Sequence, residues 1–155
     1  MVQRMKIWVD ADACPGAVRD IVLAASRKRQ VETIFVANKS LALPVSELIQ
    51  FVLVGNSPDA ADAYIIERAE KGDLVITQDI PLAHPLVHRE IVVISPRGTV
   101  FDENNIGERL SIRDMMQDMR DVGMMTGGPK QFGEKEKREF ASSFDRELTK
   151  LLKKV

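Results

Sequence analysis

Short runs of β-branched and aromatic residues alternate with amphipathic stretches through the first two thirds of the chain. Residues 5–9 read as a strand ending at Asp10. Pro15-Gly16 then opens a helix over about 17–28, with Val18, Ile21, Val22 and Ala25 at helical spacing. Residues 33–37 form a second strand bounded by Asn38-Lys39-Ser40, and 41–50 fit either a loop or a short helix around Pro44. A third strand, 51–54, stops at Gly55-Asn56. Ser57-Pro58-Asp59 starts a helix with a hydroxyl cap, a proline and an acid, and that helix runs to Lys71 before Gly72. A fourth strand at 74–77, a helical turn at 82–88 and a fifth strand at 91–95 complete the pattern. Strands joined by crossover helices predict an α/β fold. The expected architecture is a three-layer sandwich around a mainly parallel central sheet of about five strands.

From Pro96 onward the texture changes. Arg97-Gly98-Thr99 reads as a turn, 105–121 as mainly helical, and the glycine-rich 122–133 as a loop. Residues 134–155 form a helix with Phe140, Phe144, Leu148, Leu151 and Val155 on one stripe, as expected of a helix docking onto the sheet. A length of 155 residues fits one domain, 1–155. Within it, 96–155 is expected to be a helical C-terminal extension on the same core.

Charge alters this picture little. Lys+Arg 22 against Asp+Glu 23 leaves a net charge of −1, so any nucleic-acid binding must come from a local patch. That argues against a simple coat protein and leaves a nuclease open. No window approaches the ~18 apolar residues a membrane span requires. The opening MVQRMKIWVDADAC lacks a secretory apolar run, and cytoplasm is the expected compartment. The single cysteine, Cys14, excludes an internal disulfide and a cysteine-based zinc cluster. Neither a glycine-rich dinucleotide fingerprint nor a phosphate-loop lysine is present, so no nucleotide cofactor is expected.

Ligand sites in parallel sheets form where loops diverge at the carboxyl ends of strands. Three places put acids there: Asp10-Ala11-Asp12 after the first strand, Asp79 two residues after the fourth, and Asp62 early in the helix after the third. Asp62 shares a helix side with Ile65, Ile66 and Ala69, whereas Asp59 falls with Ala63, Glu67 and Glu70 toward solvent. A carboxylate on a packing face needs a partner. Grouped carboxylates repel, so together they imply a cation, and oxygen-only ligands select Mg²⁺ or Mn²⁺ over zinc. Such an ion polarises a phosphoryl oxygen and lowers the pKa of bound water, which suits phosphoester hydrolysis. Each acid also has a plainer reading. Asp10 and Asp12 could hold loop amides, Asp79 could cap the helix at Pro81, and Asp62 could pair with an arginine.

The runs WVDADACP, NSPDAADAYI, VITQDIPLA, SPRG and TGGPKQF, followed by the phenylalanine-bearing last helix, resemble the YaiI/YqxD family over nearly the whole chain. The resemblance implies a PIN-like fold, the class of certain nuclease domains. It also implies acids after the first strand, on a middle helix and after the fourth strand, which are Asp10, Asp62 and Asp79 here. Asp12 would be a further ligand or would position water. Asp102 or Glu103 stand nearest the place of a later acid, but match it poorly, and full two-metal catalysis lacks that support.

Arg97, Arg109, Arg113 and Lys130 are candidate phosphate contacts, Lys130 because Gly127-Gly128-Pro129 lets its backbone approach a ligand. Solvated or acid-paired side chains are the plainer reading. His84 and His88 have helical zinc spacing but no third ligand, and Pro85 lies between them. Cys14 and Arg19 miss the cysteine-phosphatase spacing by one residue, so Cys14 reads as a small buried thiol. Trp8, Met115 and Met119 read as core.

Three functions are compatible with these residues. The first is a metal-dependent nuclease acting on RNA through Asp10, Asp12, Asp62 and Asp79. The second is a haloacid-dehalogenase-like phosphatase with Asp10 as nucleophile and Asp12 as acid/base, although its threonine and lysine lack clear positions. The third is a non-catalytic module that binds metal, RNA or a protein.

Overall fold

The computed structural model describes residues 4–57, 59–107 and 132–153. Six strands form one sheet: β1 Lys6–Asp10, β2 Glu32–Ala37, β3 Ile49–Leu53, β4 Leu74–Ile76, β5 Val92–Ile94 and β6 Val100–Phe101. Their order is β3-β2-β1-β4-β5-β6, parallel throughout except for β6, which runs antiparallel to β5. The described helices are α1 Gly16–Arg29, α2 Ala60–Arg68, α3 Ile80–His88 and α4 Glu134–Lys153. The chain winds outward from β1 to β3, then returns to the other side of β1 for β4. The switch point therefore lies between β1 and β4.

Alternation along the strands fills both faces. Ile7 and Val9 of β1, Phe35 of β2 and Leu74 and Ile76 of β4 pack with Val18 and Val22 of α1 and Phe140, Phe144, Leu148 and Leu151 of α4. Trp8, Ile34, Val36 and Val75 face the opposite way, toward Ala61 and Ile65 of α2 and Leu82, Ala83, Leu86 and Val87 of α3. The three layers are thus α1 with α4, the sheet, and α2 with α3. The apolar stripe of the last helix docks as its spacing requires; Val155 lies outside the described residues.

Several boundaries differ from the sequence expectation. Residues 41–48 form no helix, and the strand begins at Ile49 rather than Phe51. Helix α2 ends at Arg68, short of Lys71. Asp73 Oδ2 accepts the Glu70 N–H, and the Arg89 guanidinium takes the Ile66 and Ala69 carbonyls at 2.6 Å each. Ser57 does not cap α2: its hydroxyl donates to Asp59 Oδ1 at 2.6 Å. The turn at 97–99 is present, but it leads into β6, two residues being too few to show alternation. Gly98 has φ +92, and a Cβ there would lie 2.6 Å from the Glu139 carbonyl carbon, so the hairpin sits directly on α4. The helix expected over 105–121 and the loop over 122–133 fall largely outside the described residues. Arg109, Arg113, Met115, Met119 and Lys130 fall there too. Among the described residues, no helix is long and apolar enough to cross a membrane.

At the foot of the sheet, away from the switch-point loops, Asp73 is buried yet fully occupied. Its carboxylate accepts from Lys6 N (2.9 Å), Trp8 Nε1 (3.0 Å) and Glu70 N (2.9 Å). This acid is a structural bolt joining β1 to β4.

Candidate functional site

β1 leads into the α1 layer and β4 into the α3 layer, so their outgoing loops part and leave a crevice. Asp10 closes β1. The register pairs Val9 with Ile76, which sets Asp10 beside Thr77 just past β4. The Thr77 hydroxyl donates to Asp10 Oδ2 at 2.9 Å and accepts the Asp79 N–H at 3.0 Å. Asp79 in turn caps α3, its Oδ1 accepting Leu82 N at 3.2 Å. The capping role foreseen for Asp79 is real, and it leaves the second carboxylate oxygen for the cleft.

Asp62 enters from the first turn of α2, which starts at this same edge of the sheet. As its helical phase requires, it is half-buried, whereas Asp59, Ala63, Glu67 and Glu70 are exposed. Among the described residues, no arginine pairs with it. Burial pushes its carboxyl up to about 7, helped by the negative charge of Asp79, a hydrogen bond to Asp79, and the charges of Asp10 and Asp59. Two carboxyls can share a hydrogen bond only if one carries the proton. Asp10 is also raised, by burial first; the Thr77 hydroxyl opposes that, while Asp79 and Asp12 add to it. Asp12 sits on the rim in the single turn Ala11–Ala13, and both its oxygens accept the Asn38 N–H at 3.0 Å.

Asp10, Asp12, Asp62 and Asp79, together with Ala13, Asn38, Ala61 and Gln78, line one open cleft of about 370 Å³. All four predicted acids therefore reach one place. Among the described residues, however, no three His, Cys, Asp or Glu groups are placed so that they could hold a metal ion as they stand. The donors are of the right kind for a hard cation, but the arrangement is an open, partly protonated cluster rather than a closed cage.

Sequence reasoning missed Thr77 and Asn38. Thr77 ends the VITQD run and Asn38 follows β2, but their roles depend on which strands are neighbours, and the chain order does not announce that. Arg97 lies beyond β5 at the same edge of the sheet, and its Nη1 is 3.8 Å from Glu136 Oε1. The His84 and His88 rings meet edge to face at 4.7 Å, with His88 Nδ1 4.0 Å from Glu103 Oε1. Cys14 is partly buried, and burial pushes its thiol up to about 12 against the pull of Arg19.

These features define a doubly wound α/β domain with an acidic cleft at its switch point. The chain belongs to the family described as "Uncharacterized BCR, YaiI/YqxD family", which matches residues 8–150. It is 52% identical to a UPF0178 protein of Myxococcus xanthus, over 96% of this chain and 97% of the relative. It is 49% identical to a UPF0178 protein of Syntrophobacter fumaroxidans over 96% and 97%. A UPF0178 protein of Pseudomonas fluorescens (strain SBW25) is 44% identical over 97% of this chain and all of the relative. No solved structure matches the chain.

Proposed function

We propose that the acidic cleft takes up a hydrated Mg²⁺ or Mn²⁺ ion and that the chain hydrolyses phosphodiester bonds, with RNA as the substrate. One observation carries this reading: four carboxylates from three separate segments line a single cleft at the switch point. The placement after β1, on α2 and after β4 is also what the PIN-like resemblance implies. Asp10, Asp62 and Asp79 would hold the ion and Asp12 would stand at its rim. Magnesium keeps several waters when bound by few carboxylates, so an open cluster suits it better than an all-protein cage. When bound, the ion supplies charge to a phosphoryl oxygen and a water of lowered pKa.

The chain's own residues do the rest. Thr77 fixes the spacing of Asp10 and Asp79 through its two bonds. Asp62 gives up the proton it shares with Asp79 and so adds negative charge to the cleft. Arg97, Arg109, Arg113 and Lys130 are the candidate phosphate contacts in this reading. The test is cleavage of single-stranded RNA with Mn²⁺ by wild type, Asp10→Ala and Asp79→Ala. Loss in both variants, with folding retained, supports the reading; an active Asp10→Ala protein overturns it.

Among the described residues no three ligands stand ready to hold a metal ion, which favours a second reading, a non-catalytic module that binds a metal ion or RNA without turnover. Calorimetric Mn²⁺ binding with no RNA cleavage would select it. The phosphatase reading ranks below both, because both Asp12 oxygens are held on the Asn38 N–H, away from acid/base work.

A further inference from the structure

The two edges of the sheet are treated differently. β6 is two residues long, whereas β3 is five, IQFVL, with no charge and no proline. Edge strands normally carry such guards because their unpaired N–H and C=O groups recruit other strands. Leu48 O accepts from Thr33 N and Val54 N donates to Ala37 O, so the even-numbered residues around β3 bond inward to β2. The backbone groups of Ile49, Phe51 and Leu53 therefore point out from the sheet; the Ile49 N–H meets the Ser46 carbonyl of the preceding turn at 3.3 Å, and among the described residues the others have no backbone partner.

The same three side chains share the α1 face. Ile49 and Phe51 are half-buried against the core there, while Leu53 is 60% exposed. Beside them lies a groove of about 400 Å³ lined by Leu23, Pro44, Val45 and Ile49 together with the charged Asp20 and Arg27, in which Val45 is fully exposed. An antiparallel copy of β3, placed on a two-fold axis through Phe51, sets Phe51 opposite its own copy. Ile49 then faces the copy's Leu53, because the positions on either side of the axis exchange. All three are hydrogen-bonded positions, so the outward N–H and C=O groups of Phe51 and Leu53 and the Ile49 carbonyl face complementary groups, while the Ile49 N–H exchanges its Ser46 bond for the copy's Leu53 carbonyl. The exposed Leu53 of each copy meets the wall of the other copy's groove at Ile49. Among the described residues, knob, groove and outward-facing backbone groups coincide in one register.

We propose that two copies of this chain dimerise by antiparallel pairing of β3, joining six strands from each into one continuous sheet. Such an axis stands perpendicular to the sheet and reverses strand direction, so the two acidic clefts open at opposite edges of the dimer.

Sedimentation equilibrium of wild type and Leu53→Lys tests this. Wild type is expected at twice 17.3 kDa. The variant is expected at half that mass, with unchanged circular dichroism since Leu53 is exposed, and with a melting temperature that no longer rises with protein concentration. A monomeric wild type at every concentration, or a dimer that Leu53→Lys leaves intact, overturns the proposal. Should the variant fold poorly, spin labels on Gln50→Cys in a Cys14→Ser background read the register directly. Diagonal neighbours across the axis give one short distance, and a long or absent distance overturns the pairing.

Discussion

The Thr77 hydroxyl donates to Asp10 Oδ2 at 2.9 Å while receiving the Asp79 N–H, so one side chain ties the two walls of the acidic cleft. Thr77 is 1% exposed, and loss of its oxygen would leave two polar groups poorly satisfied. Thr77→Val, nearly the same size, is expected to lower stability by about 1–3 kcal/mol. It should also raise the Asp10 carboxyl further, because the hydroxyl is what opposes that rise. Thr77→Ser should restore both. Urea unfolding and carboxyl-resolved NMR titration measure the two effects.

Asp62 makes stability depend on pH in an unusual direction. Its folded value, about 7, lies above the ordinary 3.8 of an aspartate, so between them the folded chain holds a proton that the unfolded chain has released. Stability is therefore expected to fall as pH rises from about 4 to 7 and to level off above that. Asp62→Asn should flatten most of the slope and leave a protein more stable than wild type at pH 8. A residual slope of the same sign belongs to Asp10, which is also raised. Urea midpoints at pH 5 and pH 8 decide this; a wild type that gains stability across the window contradicts the assignment.

Cation uptake should compete with that shared proton. Mn²⁺ affinity is expected to rise with pH up to about 7, with proton release seen as a buffer-dependent calorimetric heat. At one hundred times its dissociation constant, the ion should add about 2.7 kcal/mol of stability. Asp10→Ala and Asp79→Ala should lose this gain. Equal stabilisation of both variants would move the ion elsewhere.

Asp73 offers a contrast among the acids. It lies away from the cleft and accepts three hydrogen bonds, including one from the Trp8 indole. Asp73→Ala is expected to destabilise the fold by about 3 kcal/mol or more, since three donors lose their acceptor. Mn²⁺ affinity at low temperature should stay unchanged. Unfolding followed by Trp8 fluorescence, alongside calorimetry, separates the two roles.

The extent to which the sequence revealed this arrangement follows from the range of each interaction. Strands with both faces covered, such as β1 and β2, show as β-branched runs. The α4 stripe and the phase of Asp62 show because helical periodicity is local. Asp10, Asp12, Asp62 and Asp79 were legible as strand-end or first-turn acids. The bond between Thr77 and Asp10 was not, because it needs β1 beside β4, residues 67 apart in sequence. The end of α2 was equally hidden, being set by Arg89 reaching back to two carbonyls. Residues 41–48 carry helix-compatible spacing but form no helix. Their leucines 41 and 43 pack against the α1-side core, so tertiary burial outweighs a weak local preference.

Cys14, at the turn leading into α1, gives the chain a built-in gauge. With its thiol held near 12, almost none is the reactive thiolate at neutral pH, so alkylating reagents should act slowly on the closed protein. Each transient unlatching of that turn would restore an ordinary thiol and admit the reagent. The labelling rate then clocks how often the floor beneath Asp10 and Asp12 comes loose, without any added probe.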